Sequence, residues 1–280
     1  MPMTAKNAKL VSDILNFLEE RAPSSTAEDW DNVGLLVGDP AWSTSGAVVS
    51  VDLTQEAIDL ATENGIHLII NHHPCFFPKS QGISRWVPGT LAYEAMRRGI
   101  AVIACHTNFD RSALEVVEQL SRRLGLEPKG RLFDTVDEQR VSCGENRLVS
   151  GSGYGFWGEF RQPRAFSDLA KDVKNIFKVN GFWITNPPPS QVVRIGFTAG
   201  KGASFVESAA YVKCDLYITG EVGYHNALQG QRLGMAVMEL GHRDSEGFFM
   251  ETMKNWLSGF ELMVIDVQTP TQMIWSGGKK

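Results

Sequence analysis

Apolar positions in this chain follow two rhythms whose alternation points to a fold class. Leu10, Ile14, Leu15 and Leu18 recur at helical spacing as far as Glu19-Glu20, and Pro23 with Ser24-Ser25-Thr26 then marks the exit of a helix. Trp30 to Pro40 is a short apolar run bounded by Gly and Pro, a strand candidate. From Ala47 onward the two rhythms alternate. The pattern predicts a strand over 47–52, a helix over 55–64, a strand over 66–71, a helix over 91–98, a strand over 100–105 and a helix over 112–124. Strands alternating with helices of this length predict βαβ units, hence an α/β class with a mixed or mostly parallel sheet and helices on both faces.

From Glu127 to about Gly158 the rhythm weakens, with Gly151-Ser152-Gly153-Tyr154-Gly155-Phe156-Trp157-Gly158 at its centre. This stretch reads as a domain boundary or as inserted hairpins, its glycines as a mobile turn. A phosphate-cradling loop is disfavoured because no βαβ strand precedes it. Alternation then resumes: helix 166–177, strand 192–197, helix 204–213, strand 215–219, helix 225–233, strand 235–240, helix 248–257 and strand 262–267. No tandem repeat is visible, and Ser276 to Lys280 reads as a solvated tail.

Composition narrows the picture. A length of 280 residues allows about two domains. With 27 basic against 32 acidic residues the net charge is −5, which removes non-specific nucleic-acid binding from the expected partners. An amphipathic N-terminus and the lack of a long apolar window lead us to expect a cytoplasmic protein with no membrane partner. Cys75, Cys105, Cys143 and Cys214 form no Cys-x-x-Cys pair and are expected to be reduced, mostly buried thiols. Cys75 and Cys105 adjoin histidine motifs and stay secondary ligand candidates.

The histidines carry the chemistry. Five of the 6 lie at or just past the end of a predicted strand, where open α/β sheets place their ligands. His72-His73 follow one strand, His106 and Asp110 a second, Glu221 and His225 a third, His242 and Glu246 a fourth. Adjacent residues on a strand face opposite sides, so the doublet suits two metals better than one. His242 and Glu246, one helical turn apart, share a face. Asp110 or Glu246 could bridge two ions about 3.5–4 Å apart. His72, His73, Asp110, His242 and Glu246 therefore form a dinuclear candidate set. His67, mid-strand with no acidic neighbour, is assigned a structural role.

These motifs resemble a known family: the dinuclear-metal proteins called GTP cyclohydrolase I type 2 homologues, or NGG-interacting-factor-three-like proteins. The likeness rests on Trp30-Asp31-Asn32-Val33-Gly34-Leu35, Asn71-His72-His73-Pro74, His106-Thr107-Asn108-Phe109-Asp110, Gly220-Glu221-Val222-Gly223-Tyr224-His225 and Gly241-His242-x-x-x-Glu246, and it covers most of the chain. The resemblance implies the same five ligands, a toroidal hexamer enclosing the sites, and two α/β domains with the second inserted in the first. The domains are then 1–127 with 234–280, a metal-binding domain, and 128–233, the insert. Where the family commonly carries Gly-x-Gly-Arg, this chain has Phe156-Trp157, which weakens any carry-over of substrate. The large extra domain of longer members has no room here.

Nitrogen and oxygen ligands without thiolate favour two divalent transition-metal ions among Zn, Fe, Mn, Co and Ni. The first functional reading is a metal-dependent hydrolase of the GTP cyclohydrolase I type 2 class, acting on a nucleotide or phosphoester small molecule through water whose pKa falls toward about 7. His106, Glu221 and His225 are then supporting or proton-transfer groups beside the cluster. The alternative is a non-catalytic metal-binding regulatory or scaffold protein forming a ring, since fold and metal ligands alone do not fix a reaction.

Overall fold

The computed structural model describes residues 8–76, 90–134, 153–185 and 187–267. Its strands in chain order are β1 (Lys9–Leu10), β2 (Gly34–Val37), β3 (Ser43–Thr44), β4 (Gly46–Ser50), β5 (Leu68–Asn71), β6 (Ala101–Ala104), β7 (Glu127–Gly130), β8 (Phe133–Asp134), β9 (Gly153–Tyr154), β10 (Phe156–Ala165), β11 (Trp183–Ile184), β12 (Gln191–Lys201), β13 (Leu216–Glu221), β14 (Ala236–Glu239) and β15 (Met263–Asp266). Its α-helices are α1 (Val11–Arg21), α2 (Gln55–Glu63), α3 (Leu91–Arg97), α4 (Thr107–Ser112), α5 (Leu114–Leu124), α6 (Phe166–Phe177), α7 (Val206–Tyr211), α8 (Tyr224–Arg232), α9 (His242–Ser245) and α10 (Phe248–Leu257).

Two sheets organise these elements. The five-stranded sheet runs β15-β4-β5-β6-β2, parallel except for β2 at its edge. Both of its faces are covered, so β4, β5 and β6 are continuous apolar runs. Ala47, Val49, Leu68, Ile70, Ala101 and Ile103 pack on α1 and α10, while Val48, Ile69 and Val102 pack on α2 and α3. That split follows from side chains pointing alternately to the two faces, and each fully buried Val, Leu or Ile contributes about 1.5–3 kcal/mol. Thr54 starts α2 by accepting the Ala57 N–H at 3.1 Å.

The six-stranded sheet runs β11-β14-β13-β12-β10-β7. Only β12, β13 and β14 are parallel, and the other pairings are antiparallel. Both domains are thus α/β with mixed sheets. Ile195, Phe197, Leu216, Ile218 and Met238 meet α5 and α6 on one face, and Tyr217 and Val237 meet α7 on the other.

Three sequence expectations need correcting. The glycine run over 151–158 is not a mobile turn where it is described: from Phe156 it is built into the six-stranded sheet as β10, beside β7, and Gly153–Tyr154 pairs with β8. Residues 135–152, with Cys143, lie outside the described residues. Strand pairing also shifts the expected boundaries. Leu216↔Ala236 to Thr219↔Glu239 place β14 in the six-stranded sheet, so the chain returns to the first sheet only after Glu239, and α8 is a crossover inside the second. Finally, the predicted helix over 112–124 begins earlier, as α4, and breaks at Ala113 before α5.

Candidate metal centre

Strand ends from both sheets converge on one spot. Past β5 the backbone continues its pairing, His72 N–H to Ser50 O at 3.1 Å and His73 N–H to Val51 O at 2.8 Å, which fixes both histidines just beyond the strand. Past β6 lie His106 and, on α4, Asp110. Glu221 ends β13, and past β14 come His242 on α9 and Glu246 at its end. Glu246 is the hub. Its Oε1 lies 3.6 Å from His72 Nε2 and 3.2 Å from His242 Nε2, and its Oε2 lies 3.2 Å from His73 Nε2. Asp110 Oδ1 is 3.7 Å from His72 Nε2. The five residues expected from spacing are therefore brought together, although the doublet's two imidazoles, with ring centroids 5.2 Å apart, reach the same carboxylate.

Each imidazole is held by its other nitrogen. Nδ1 of His72 meets the Cys105 carbonyl at 2.9 Å, Nδ1 of His73 meets Asp52 at 2.8 Å, Nδ1 of His242 meets Glu221 at 3.1 Å, and Nδ1 of His106 meets Asp31 at 2.9 Å. Holding Nδ1–H leaves Nε2 to ligate, the arrangement that orients metal-bound histidines. His72 Nε2 and Glu246 Oε2 are buried with no hydrogen-bond partner, and orphaned buried polar atoms cost about 1–3 kcal/mol each. The donor set thus fits cations. Two groups have their ligand atoms within 4.8 Å of one another: His72, His73 and His106, and His73, His242 and Glu246.

The field points the same way. Burial pushes the Glu246 carboxyl up, but the surrounding imidazoles overcome it and hold the group well below the usual carboxylate range. Burial pulls His73 down, yet Asp52 and Glu246 raise it to about 10. His72 rises against the same desolvation under Asp110 and Glu246, and His242 rises beside Glu246. Burial raises the Asp110 carboxyl, opposed by His72 and His106. Carboxylates that hold protons on imidazoles will equally hold metal cations there once those protons leave.

Glycines let the six-stranded sheet close in. Gly200, at φ +59°, presses so near that a Cβ would lie 2.5 Å from Glu246 Oε1, and Gly220 leaves 2.3 Å to Ser245 Oγ. The Gly200 N–H donates to Ser245 Oγ at 2.8 Å. Lys201 follows directly. A cavity of about 740 Å³ between the sheets is lined by the donors, by Arg131 and Lys201, and by Trp30, Tyr154 and Phe205.

Of the three supporting candidates, Glu221 holds His242 and His106 joins a donor group, but His225 lies apart. It is exposed on α8 with its ring against Tyr224, because the helix turns it outward. His67, also exposed, meets the Gly99 carbonyl at 3.0 Å. Cys105 contributes only its carbonyl, its thiol buried and pushed up to about 12 by desolvation. Two residues escaped the sequence reading. Asp31 is buried, and though desolvation pushes its carboxyl up, His106 and Thr107 bring it down to about 2. Asp52 ends a predicted strand, and the strand-end rule would have found it.

Comparisons with known proteins identify the family and the fold. A family model described as Duf34/NIF3 (NGG1p interacting factor 3) matches residues 9–271. A protein called GTP cyclohydrolase 1 type 2 homolog from Clostridium acetobutylicum is 29% identical over 261 residues, covering 93% of each chain. Its namesake from Campylobacter jejuni is 26% identical over 259 residues, covering 91% of this chain and 95% of its own. Among solved structures, a Bacillus cereus protein related to NIF3 superposes with TM-score 0.79 at 18% identity, covering 96% of this chain and 100% of its own. A hypothetical protein from Staphylococcus aureus gives TM-score 0.78 at 23% identity, covering 95% and 99%. At these identities the superpositions establish the fold.

Proposed function

We propose, for a chain that belongs to the Duf34/NIF3 family, a metal-dependent hydrolase with a dinuclear centre, acting on a nucleotide or other phosphoester. The observation that carries this reading is the shared Glu246: one buried carboxylate faces three imidazoles whose Nδ1 atoms are all held, beside a cavity large enough for a small molecule. In this reading His72, His106 and Asp110 would hold one ion and His73 and His242 the other, with Glu246 between the two sets. Zn, Fe, Mn, Co and Ni all suit such ligands. When bound, the ions supply Lewis acidity and bring the pKa of water toward neutrality.

The chain's own residues do the rest. Asp31, Asp52, Glu221 and the Cys105 carbonyl keep each imidazole in the tautomer that presents Nε2. Arg131 and Lys201 draw an anionic substrate into a cavity that is otherwise strongly acidic. Packing of the Gly200 turn against Glu246 keeps bulk water off the hub, which is 5% exposed. His106, on this account, is a ligand and not a proton carrier.

Assembly into a hexameric ring belongs to the same proposal. Tyr211 and Tyr224 are 76% and 75% exposed, and Leu233 and Trp183 are also exposed, a set of apolar residues on the inserted domain that a copy of the chain would cover. That surface equally favours the second reading, a metal-holding scaffold without turnover. No described helix is long and apolar enough to cross a membrane. The buried thiols Cys105 and Cys214 fit the reducing cytoplasm we propose for it. Metal analysis tests the centre: close to two ions per chain are expected, falling in Glu246→Ala. A nucleotide and phosphoester screen tests the reaction, with turnover abolished in His72→Ala/His73→Ala. Full metal and full assembly with a flat screen would favour the scaffold.

A further inference from the structure

His242 is gripped from two sides by the six-stranded sheet. Its ring is held at Nδ1 by Glu221, the last residue of β13, at 3.1 Å. Its backbone carbonyl accepts the Ser245 hydroxyl at 2.6 Å, and the same Ser245 Oγ accepts the Gly200 N–H of β12 at 2.8 Å. The two grips share a base. Lys201 is the register partner of Glu221, and the Gly202 N–H donates to the Glu221 carbonyl at 3.0 Å. Contacts therefore close into a ring: Gly200 to Ser245, Ser245 to His242, His242 to Glu221, and Glu221 back to the turn that carries Gly200.

One hydroxyl completes that ring. A serine hydroxyl has a single hydrogen to donate, and here it goes to His242 while a lone pair takes the Gly200 N–H. Ser245 is 1% exposed, and a buried N–H left without its acceptor is costly. The bond to His242, three residues back, is one that helical serines often make. The bond to Gly200 crosses 45 positions and has no local cause. The backbone makes room for it: a Cβ on Gly220 would lie 2.3 Å from Ser245 Oγ and 2.9 Å from His242 Cα. From behind, the Tyr217 hydroxyl donates to the Gly202 carbonyl at 2.8 Å and the Thr219 hydroxyl to the Gly200 carbonyl at 3.4 Å. The turn so braced abuts Glu246, the residue that follows Ser245.

We propose that Ser245 is a positioning residue of the metal centre. Its hydroxyl locks α9 onto the Gly200–Gly202 turn, and so sets where the His242 imidazole and the Glu246 carboxylate stand relative to the donors of the five-stranded sheet. Both of its hydrogen bonds go to backbone groups, so its effect reaches an ion through His242 and Glu246. This inference rests on the metal-centre reading above and is independent of the reaction.

Cobalt(II) is the probe, added to the metal-free full chain and followed by competition titration and by its visible absorption bands, which respond to ligand geometry. Ser245→Ala should lower cobalt affinity about tenfold or more and shift the bands, since contacts that orient metal-bound histidines carry effects of that size. Ser245→Thr, whose hydroxyl can still bond a carbonyl three residues back, should restore both. A lower urea midpoint for metal-free Ser245→Ala, with wild-type affinity and bands, makes the hydroxyl a purely structural contact and overturns the proposal. If Ser245→Ala does not fold, hydrogen exchange of the wild type decides. Cobalt should slow exchange over residues 198–202, which supply no donor, more than over α6 on the same sheet. Equal slowing of the two segments overturns the proposal. A wild-type chain that takes up no cobalt overturns the metal-centre reading and this inference together, whereas uptake that Ser245→Ala leaves unchanged overturns this inference alone.

Discussion

Two strand ends carry the same signature, a histidine close behind an apolar strand, and they end differently. After β5, His72 is 1% exposed, its Nδ1 is held by a carbonyl, and its Nε2 faces two carboxylates. After β13, His225 is exposed on α8 against Tyr224. A shared position in the sheet does not make a shared role. What separates them is where the chain goes next: β5 runs into a loop still paired to β4, which keeps the imidazole at the sheet edge, while β13 turns through Gly223 into a helix whose first turn points away. A histidine becomes a ligand when burial, an acceptor for Nδ1 and a carboxylate at Nε2 coincide.

Substitutions can break that contrast. Glu246→Ala should have the largest effect, loss of both ions in metal analysis, because it removes the one carboxylate facing all three imidazoles. His72→Ala should lose metal while His225→Ala keeps it and shifts stability by no more than about 0.5 kcal/mol in urea melts. Gly200→Ala should cost about 1–3 kcal/mol, since an L-residue is strained at φ +59° and its Cβ would collide with Glu246. Asp52→Asn and Asp31→Asn, whose carboxylates hold the far nitrogens of His73 and His106, should reduce metal affinity about 10–100-fold in competition titrations, and Asp31→Asn should also weaken the Thr107 hydrogen bonds that its carboxylate accepts.

The metal-free protein offers a smaller, pH-dependent contrast. Asp31 sits at about 2 against an ordinary 3.8, so its contribution to stability is complete above 3.8 and is lost as pH falls through about 2. His73 sits at about 10 against an ordinary 6.5, so its contribution is complete below 6.5 and is lost as pH rises through about 10. Urea midpoints of the metal-free protein should therefore be highest between about pH 4 and 6.5. Metal-loaded protein should gain on the alkaline side instead, because ligation needs unprotonated imidazoles.

Much of the fold was legible because burial leaves a period in the sequence. α10 lies where its apolar spacing put it, over Phe248–Leu257, and β4, β5 and β6 read as unbroken apolar runs because both their faces are covered. β7 and β10 were not legible. Glu-Pro-Lys-Gly carries no alternation, and its proline is tolerated because β7 is an edge strand. β10 has an irregular register and mixes charges with Gly158 and Pro163. In the site, the five residues announced by strand ends could be read in advance. Asp31 meeting His106 across 75 positions could not, since a polar contact at long range leaves no local pattern.

The central claim is that one buried carboxylate, Glu246, joins two metal positions. Anomalous diffraction from crystals of the metal-loaded protein tests it most directly. Two peaks are predicted, one beside His72, His106 and Asp110 and one beside His73 and His242, both in contact with Glu246. A single peak, or peaks that leave Glu246 without a metal, would contradict it.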